Sequence, residues 1–358
     1  METWLILTLG TFFASFFISF IGSLAYIKMS FPENMASLKK NLAAAPFYLS
    51  CLICFSLAYA VTPTQRDFIH EIGWLQVIVP LLLAGAVYAV SLLPKIARFT
   101  PAAILLAAGI SVFLLPADFL MFNGHLPFWL DRICILSIWF LFSNFYYILN
   151  GVDGLIGTQT FCIGAAFAVF GIIDAIPLFY TMVAISLMSV SGSFLILNWY
   201  PARLSLTQDS CKVLGFVIGW LLVFSSAEGL APCNFIFIAF YILELLQSAV
   251  KKISLRDRYE SLTANTTYYQ ANISGLSPVE ICTFLFKLQI VFIIIGCFQL
   301  YSPNAYSLPA LSIVLGAWFL NKLKNWQTPD KGLKEINKDF IDDIRQNIED
   351  IKNNIGRG

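Results

Sequence analysis

Three stretches of this sequence place carboxylates, amides and bases where they could handle phosphates. The first is Ser143-Asn144-Phe-Tyr-Tyr-Ile-Leu-Asn150-Gly151-Val152-Asp153-Gly154-Leu155, with an acid set between two glycines. Glycines there permit a tight turn and a close approach of backbone to a ligand. Asp153 stands just before an apolar run, so it can cap a helix or offer oxygens to a hard cation such as magnesium. The second runs from Asn198-Trp-Tyr-Pro201-Ala-Arg203 to Gln208-Asp209-Ser-Cys-Lys212 and then Leu214-Gly-Phe216. Asp209 is again a lone carboxylate between two apolar runs, open to the same two readings. Arg203 and Lys212 could steer phosphates toward it or serve only as interfacial bases. The third joins Glu244 to Lys251, Lys252, Arg256 and Arg258, followed by Thr263-Ala-Asn-Thr-Thr-Tyr-Tyr-Gln270. Glu244 lies inside an apolar run, where a charge is costly and therefore a functional candidate by default. Lys287 sits at a similar depth in the next run and is the expected partner.

The elements that must position these residues are apolar helices. Hydrophobic residues make up 58% of the 358 positions and charged residues 12%, about half the charge of an ordinary soluble domain. Runs of ~17–24 apolar residues, the length that crosses a bilayer, fall near 4–27, 42–61, 72–93, 99–115, 128–149, 155–175, 177–197, 213–227, 233–250, 281–301 and 307–321. The runs do not alternate apolar and polar as barrel strands would, and lipid leaves the helix as the way to satisfy their backbone. The fold expected is an all-α integral membrane protein of about eleven spans. The first run lacks a basic start and a cleavage site, so it reads as a retained helix. The eight cysteines are mostly inside apolar runs, and Cys51 and Cys54 read as small buried side chains rather than a zinc or redox pair.

Basic residues orient the spans. Alternate connections hold Lys28, Lys39, Lys40, Lys95, Arg98, Arg203, Lys212, Lys251, Lys252, Arg256 and Arg258, and Lys322, Lys324 and Lys331 fall on the same side. The opposite connections hold Arg66, with Arg132 at a boundary. The positive-inside rule then puts the N-terminus outside and the C-terminus in the cytoplasm, with all three chemistry-bearing stretches on the cytoplasmic face. Residues 1–325 read as one polytopic domain and 326–358 as a charged cytoplasmic tail, whose Leu333, Ile336, Phe340, Ile344, Ile351 and Ile355 recur near helical spacing. The net charge of +1 names no partner, and no nucleic acid is expected. No internal repeat hints at a transporter's inverted halves.

In this order and at these helix ends, the three stretches resemble the polyprenyl-phosphate N-acetylhexosamine-1-phosphate transferases. That family includes the phospho-N-acetylmuramoyl-pentapeptide translocase and forms glycosyltransferase family 4. Its loop ending D-G-x-D-G is similar to Asn150–Gly154; its N-x-P-P-A-K, G-D-x-G-S and L-G-F are similar to Asn198–Phe216; and its D-x-x-x-x-L-x-R-R is similar to Glu244–Lys252. The resemblance covers roughly residues 70 to 300. It implies transfer of a sugar-1-phosphate from a UDP-sugar to a polyprenyl phosphate at the inner (plasma) membrane, for cell-envelope polysaccharide or lipid-linked sugar synthesis, with Mg2+ as cofactor. Asp153 and Asp209 would be the catalytic and metal-binding acids. Asn144, Asn150, Asn198, Arg203, Lys212, Arg256 and Arg258 would bind substrate. The resemblance also hints at a homodimer.

This chain departs from the pattern at several positions. The family's adjacent Asp-Asp pair matches a stretch reading Tyr88-Ala89-Val90; its first D-G aspartate is Asn150, and an inner asparagine of that loop is Tyr147. Its histidine motif falls on Asn265–Gln270, which holds no histidine; His70 and His125 lie in outside connections. The alternative is therefore a catalytically reduced relative that binds a lipid, a nucleotide sugar or another protein. A transporter is the third reading, weakened by sparse intramembrane charge.

Overall fold

The apolar runs become helices at every place expected. The computed structural model describes residues 2–29, 42–61, 74–93, 95–122, 124, 126–254, 262–302 and 305–326. The regular helices are α1 (Glu2–Lys28), α2 (Ala45–Val61), α3 (Trp74–Leu92), α4 (Thr100–Phe113), α5 (Phe128–Phe145), α6 (Leu155–Ile172), α7 (Leu178–Asn198), α8 (Gln208–Ser225), α9 (Ala231–Ser254), α10 (Thr267–Ile273), α11 (Pro278–Tyr301) and α12 (Ser307–Trp326). No strand occurs among the described residues. The basic stretch with Arg256 and Arg258, and the tail after residue 326, lie outside them.

Among the described residues seven segments are long and apolar enough to cross a membrane: Ile6–Lys28, Leu75–Leu92, Phe128–Gly151, Leu155–Ile172, Leu178–Asn198, Gln208–Ile253 and Pro278–Tyr301. The 46-residue segment holds two helices, α8 and α9, separated by a π turn at Ser226–Leu230 in which Gly229 takes φ +87°. A left-handed residue cannot continue a helix, so the run breaks there. The side chain of Asn234 donates to the Leu222 carbonyl and to the Ser225 and Ser226 hydroxyls at 2.8–2.9 Å. Such bonds satisfy polar groups that lipid would leave bare. The helices α2 and α4 are apolar but shorter, at 17 and 14 residues.

The middle of the bundle is α6 and α7, each 78% buried along its apolar window, against 22% for α1 at the rim. A second polar link ties the middle together: Gln289 of α11 donates to Gln159 of α6 at 2.8 Å, and Gln159 donates to the Phe237 carbonyl of α9. The helix pair that carries the first two loops, α5 and α8, meets through glycines. A Cβ on Gly215 would lie 2.6 Å from Tyr146 Cβ, and one on Gly219 would lie 2.6 Å from the Trp139 ring. Small residues four apart let two helix backbones approach closely in this way. Trp139 Nε1 then donates to the Phe216 carbonyl at 2.9 Å. All eight cysteines are free thiols, with Cys51 and Cys54 buried, as their apolar setting predicts.

Candidate functional site

The loop after α5 leaves the helix as a 3-10 turn, Tyr146–Gly151, and turns into α6 at Gly154 (φ +81°). A side chain there would be strained, and an added Cβ would also press on Cys282 Sγ at 3.3 Å. Asp153 does not cap α6: the N-cap is Gly154, with no side-chain cap bond. Its carboxylate crosses instead to the second loop, where Oδ2 accepts the Ala202 amide at 3.2 Å.

Asparagines fasten the same two loops. Asn150 Nδ2 donates to the Leu206 carbonyl at 2.7 Å. Buried Asn198 accepts the Gly154 amide at 3.0 Å and donates to the Leu204 carbonyl at 2.7 Å. An amide that accepts and donates at once holds two backbone segments at fixed spacing. Both residues expected to touch substrate therefore have structural partners, and they bring the loops carrying Asp153 and Asp209 into contact. Asn144 does not join them. It is buried, and its side chain bonds back to the Phe140 carbonyl of its own helix at 2.9 Å.

Helix α8 begins at Gln208, five residues before the expected run, because Thr207 is a good N-cap: its hydroxyl accepts the Ser210 amide. Asp209 is thus a first-turn acid rather than the cap, placed where a helix N-terminus favours negative charge. It pairs with Lys212 at 2.7 Å, both side chains partly exposed, at 27% and 15%. The ammonium also lies 5.7 Å from the centre of the Tyr147 ring. Arg203 is exposed, and its backbone amide bonds to the Leu197 carbonyl.

The third stretch packs onto the first loop. Tyr268 of α10 donates to the Ile148 carbonyl. Burial, with the nearby Glu244 charge added, pushes that phenol well above its ordinary pKa. Gly151 lies so close to this stretch that an added Cβ would stand 2.6 Å from Thr263 Cγ2. Between them is a polar cavity of about 310 Å³ lined by Tyr147, Asn150, Gln208, Thr263 and Tyr269, with Leu206 at one wall. Tyr147, Gln208, Thr263 and Tyr269 were not singled out by sequence reasoning as binding residues. The signal that could have found them is the cluster of hydroxyl and amide residues in two loops expected on one face.

Glu244 does not pair with Lys287. It is wholly buried, its Oε1 accepts the Thr267 amide at the start of α10, and Lys251 is the cation that acts on it. Lys287 instead lies 5.9 Å from the Phe284 ring centre. Equal depth in two neighbouring helices does not make two side chains face one another, since each residue turns the helix by about 100°. Glu244 is a structural carboxylate that fixes the N-terminus of α10.

The stretch expected to match the family's acid pair carries aromatic packing. Tyr88 of α3 is buried against Tyr48 of α2, ring centres 4.6 Å apart, and Tyr48 donates to the Ser210 carbonyl at 2.5 Å, one residue from Asp209. Among the described residues no group of three or more histidine, cysteine, aspartate and glutamate side chains converges. Asp153 and Asp209 each have one carboxylate oxygen engaged by the protein.

Residues 72–226 match the model of a family described as Glycosyl transferase family 4. The matched stretch, under half of the chain, runs from α3 through both acid-bearing loops to the end of α8, and it supports the resemblance carried by those loops. It stops before Glu244 and the third stretch. No curated protein matches the chain.

Proposed function

We propose that the protein transfers a sugar-1-phosphate from a UDP-sugar to a polyprenyl phosphate on the cytoplasmic face of the inner membrane, as a reduced member of its family. The observation that carries this reading is the stitched pair of loops: Asp153 reaches Ala202, Asn150 reaches Leu206, and Asn198 reaches Gly154. The family match covers both loops. Where a soluble diphosphate and a lipid phosphate meet, catalysis is mostly positioning and charge neutralisation. Lys212 would hold the diphosphate, with Arg203, Arg256 and Arg258 as further bases of that face. The polar cavity beside Asn150 and Tyr147 offers amides and hydroxyls for the uridine or the sugar. Asp153 and Asp209 would hold magnesium, which when bound supplies charge neutralisation at the phosphates. Release of UMP from a UDP-sugar and polyprenyl phosphate by the purified protein is the expected result. Absence of UMP across several UDP-sugars, beside an active relative, would remove the reading.

A second reading is favoured by the Tyr48–Tyr88 packing, which puts two rings at the position expected to match the family's two acids. In that case the protein binds a nucleotide sugar or a lipid phosphate without reacting them. The variant Tyr88→Asp with Ala89→Asp separates the two: activity that appears only in this variant, while wild type shows ligand-induced heat stability, selects the binding role.

A further inference from the structure

The corner where α9 meets α12 holds a groove of about 540 Å³ that shares no residue with the polar cavity. Its walls are apolar, from Leu243, Leu246, Val250 and Leu320, and Leu246 and Val250 present more than half of their surface outward. At the end of both helices the groove is lined by Lys251 and Lys324, and among the described residues no carboxylate lines it. The two ammonium groups are close enough that their like charges act on each other. Glu244, the carboxylate that acts on Lys251, is wholly buried and turned to the Thr267 amide. Two cations above an apolar trough, at the end of a helix apolar enough to span, are complementary to one class of molecule: a lipid with an anionic phosphate head and acyl chains below it.

We infer that this groove binds an anionic glycerophospholipid of the bilayer, its phosphate between Lys251 and Lys324 and an acyl chain along Leu246 and Val250. Lys251 is well placed to pass the effect on, because it also donates to the Asn265 carbonyl at 3.3 Å and to the Thr267 hydroxyl at 3.5 Å. Those residues belong to the stretch whose Thr263 and Tyr269 line the polar cavity. The bound lipid is thus a support of that stretch and lies apart from the loops that carry Asp153 and Asp209.

The test places full-length protein in nanodiscs of phosphatidylcholine with added phosphatidylglycerol and reads retained lipid by native mass spectrometry. Two lysines at the headgroup level favour the anionic lipid by roughly thirtyfold. Lys324→Gln, at an exposed position, lowers that preference about fivefold. Lys322→Gln, which lies outside the groove, leaves it unchanged. Equal retention of both lipids by wild type overturns the inference, as happens if another segment of the chain fills the groove. An unchanged preference in folded Lys324→Gln protein also overturns it, and so does displacement of phosphatidylglycerol by equimolar polyprenyl phosphate, which would make the groove a substrate site.

Discussion

Two junctions on the same face of this protein each hold acid, and they hold it in opposite ways. At the α9–α10 junction Glu244 is sealed off, with one oxygen on a backbone amide and a half-buried lysine nearby. At the junction of the first two loops Asp153 and Asp209 stay partly accessible; among the described residues one takes an amide and the other a lysine. A carboxylate that is fully enclosed has no room for a ligand and contributes to the fold. One that keeps an oxygen toward water can meet a cation or a phosphate. Burial, rather than position in a motif, separates the two roles.

The largest expected effect falls on the sealed acid. Glu244→Ala leaves the buried Thr267 amide without its acceptor and removes the charge that acts on Lys251, and removing one member of a buried charged contact costs about 3 kcal/mol or more. Unfolding in detergent should drop by about 4 °C or more, given the unfolding entropy of a chain this long. Glu244→Gln keeps an acceptor and should lose much less. If Glu244→Ala unfolds like wild type, the contrast between the junctions is gone.

The open acids should behave in the reverse sense. Asp153→Asn and Asp209→Asn are expected to lower UMP release at least ~100-fold, about 2.7 kcal/mol of transition-state stabilisation. Their unfolding temperature should move by less than about 2 °C, because among the described residues each acid has one protein partner, at an accessible site. Normal turnover in either variant would take the corresponding carboxylate out of the chemistry.

Between these lies the scaffold that sets the two loops side by side. Gly215→Ala puts a Cβ 2.6 Å from Tyr146 Cβ and 3.0 Å from the Ser143 backbone. Overpacking of that kind costs about 1–3 kcal/mol. It should lower stability and UMP release together, unlike either acid class alone. Loss of one without the other would mean that the α5–α8 contact does not position the loops.

How far the sequence foretold this arrangement depends on the scale of the question. Helix positions were legible, since lipid demands long apolar runs, and each run is a helix. The break at Gly229 was expected as a connection between two runs; its π form was not legible, because it follows from how Asn234 reaches back to Leu222, Ser225 and Ser226. The seven-residue α10 was hidden in a polar stretch, as its N-terminus is held by Glu244 from another helix. Asp153 and Asp209 each stood in a position that fits a cap, and neither is one; Thr207 and the turn at Gly154 take that role. The Glu244–Lys287 pair failed because depth was read and facing was not. Tyr48 beneath Ser210 could not be foreseen, as 162 positions separate the two.

The smallest effect is also the sharpest probe of the open junction. Lys212 and Asp209 are both partly exposed, three residues apart on one helix, and such a pair is worth about 0–1 kcal/mol. Lys212→Gln should therefore leave unfolding nearly unchanged. If the ammonium exchanges Asp209 for an incoming diphosphate, its loss weakens the hold on nucleotide: the KM for UDP-sugar should rise about fivefold, or ~1 kcal/mol, with kcat little altered. The effect should shrink as salt is raised, since the contact is exposed to screening. Lys212→Arg keeps the charge and should recover part of the affinity. A fall in kcat at constant KM would instead mean that Lys212 serves by holding Asp209 in place, and the open junction would then resemble the sealed one more closely than its exposure suggests.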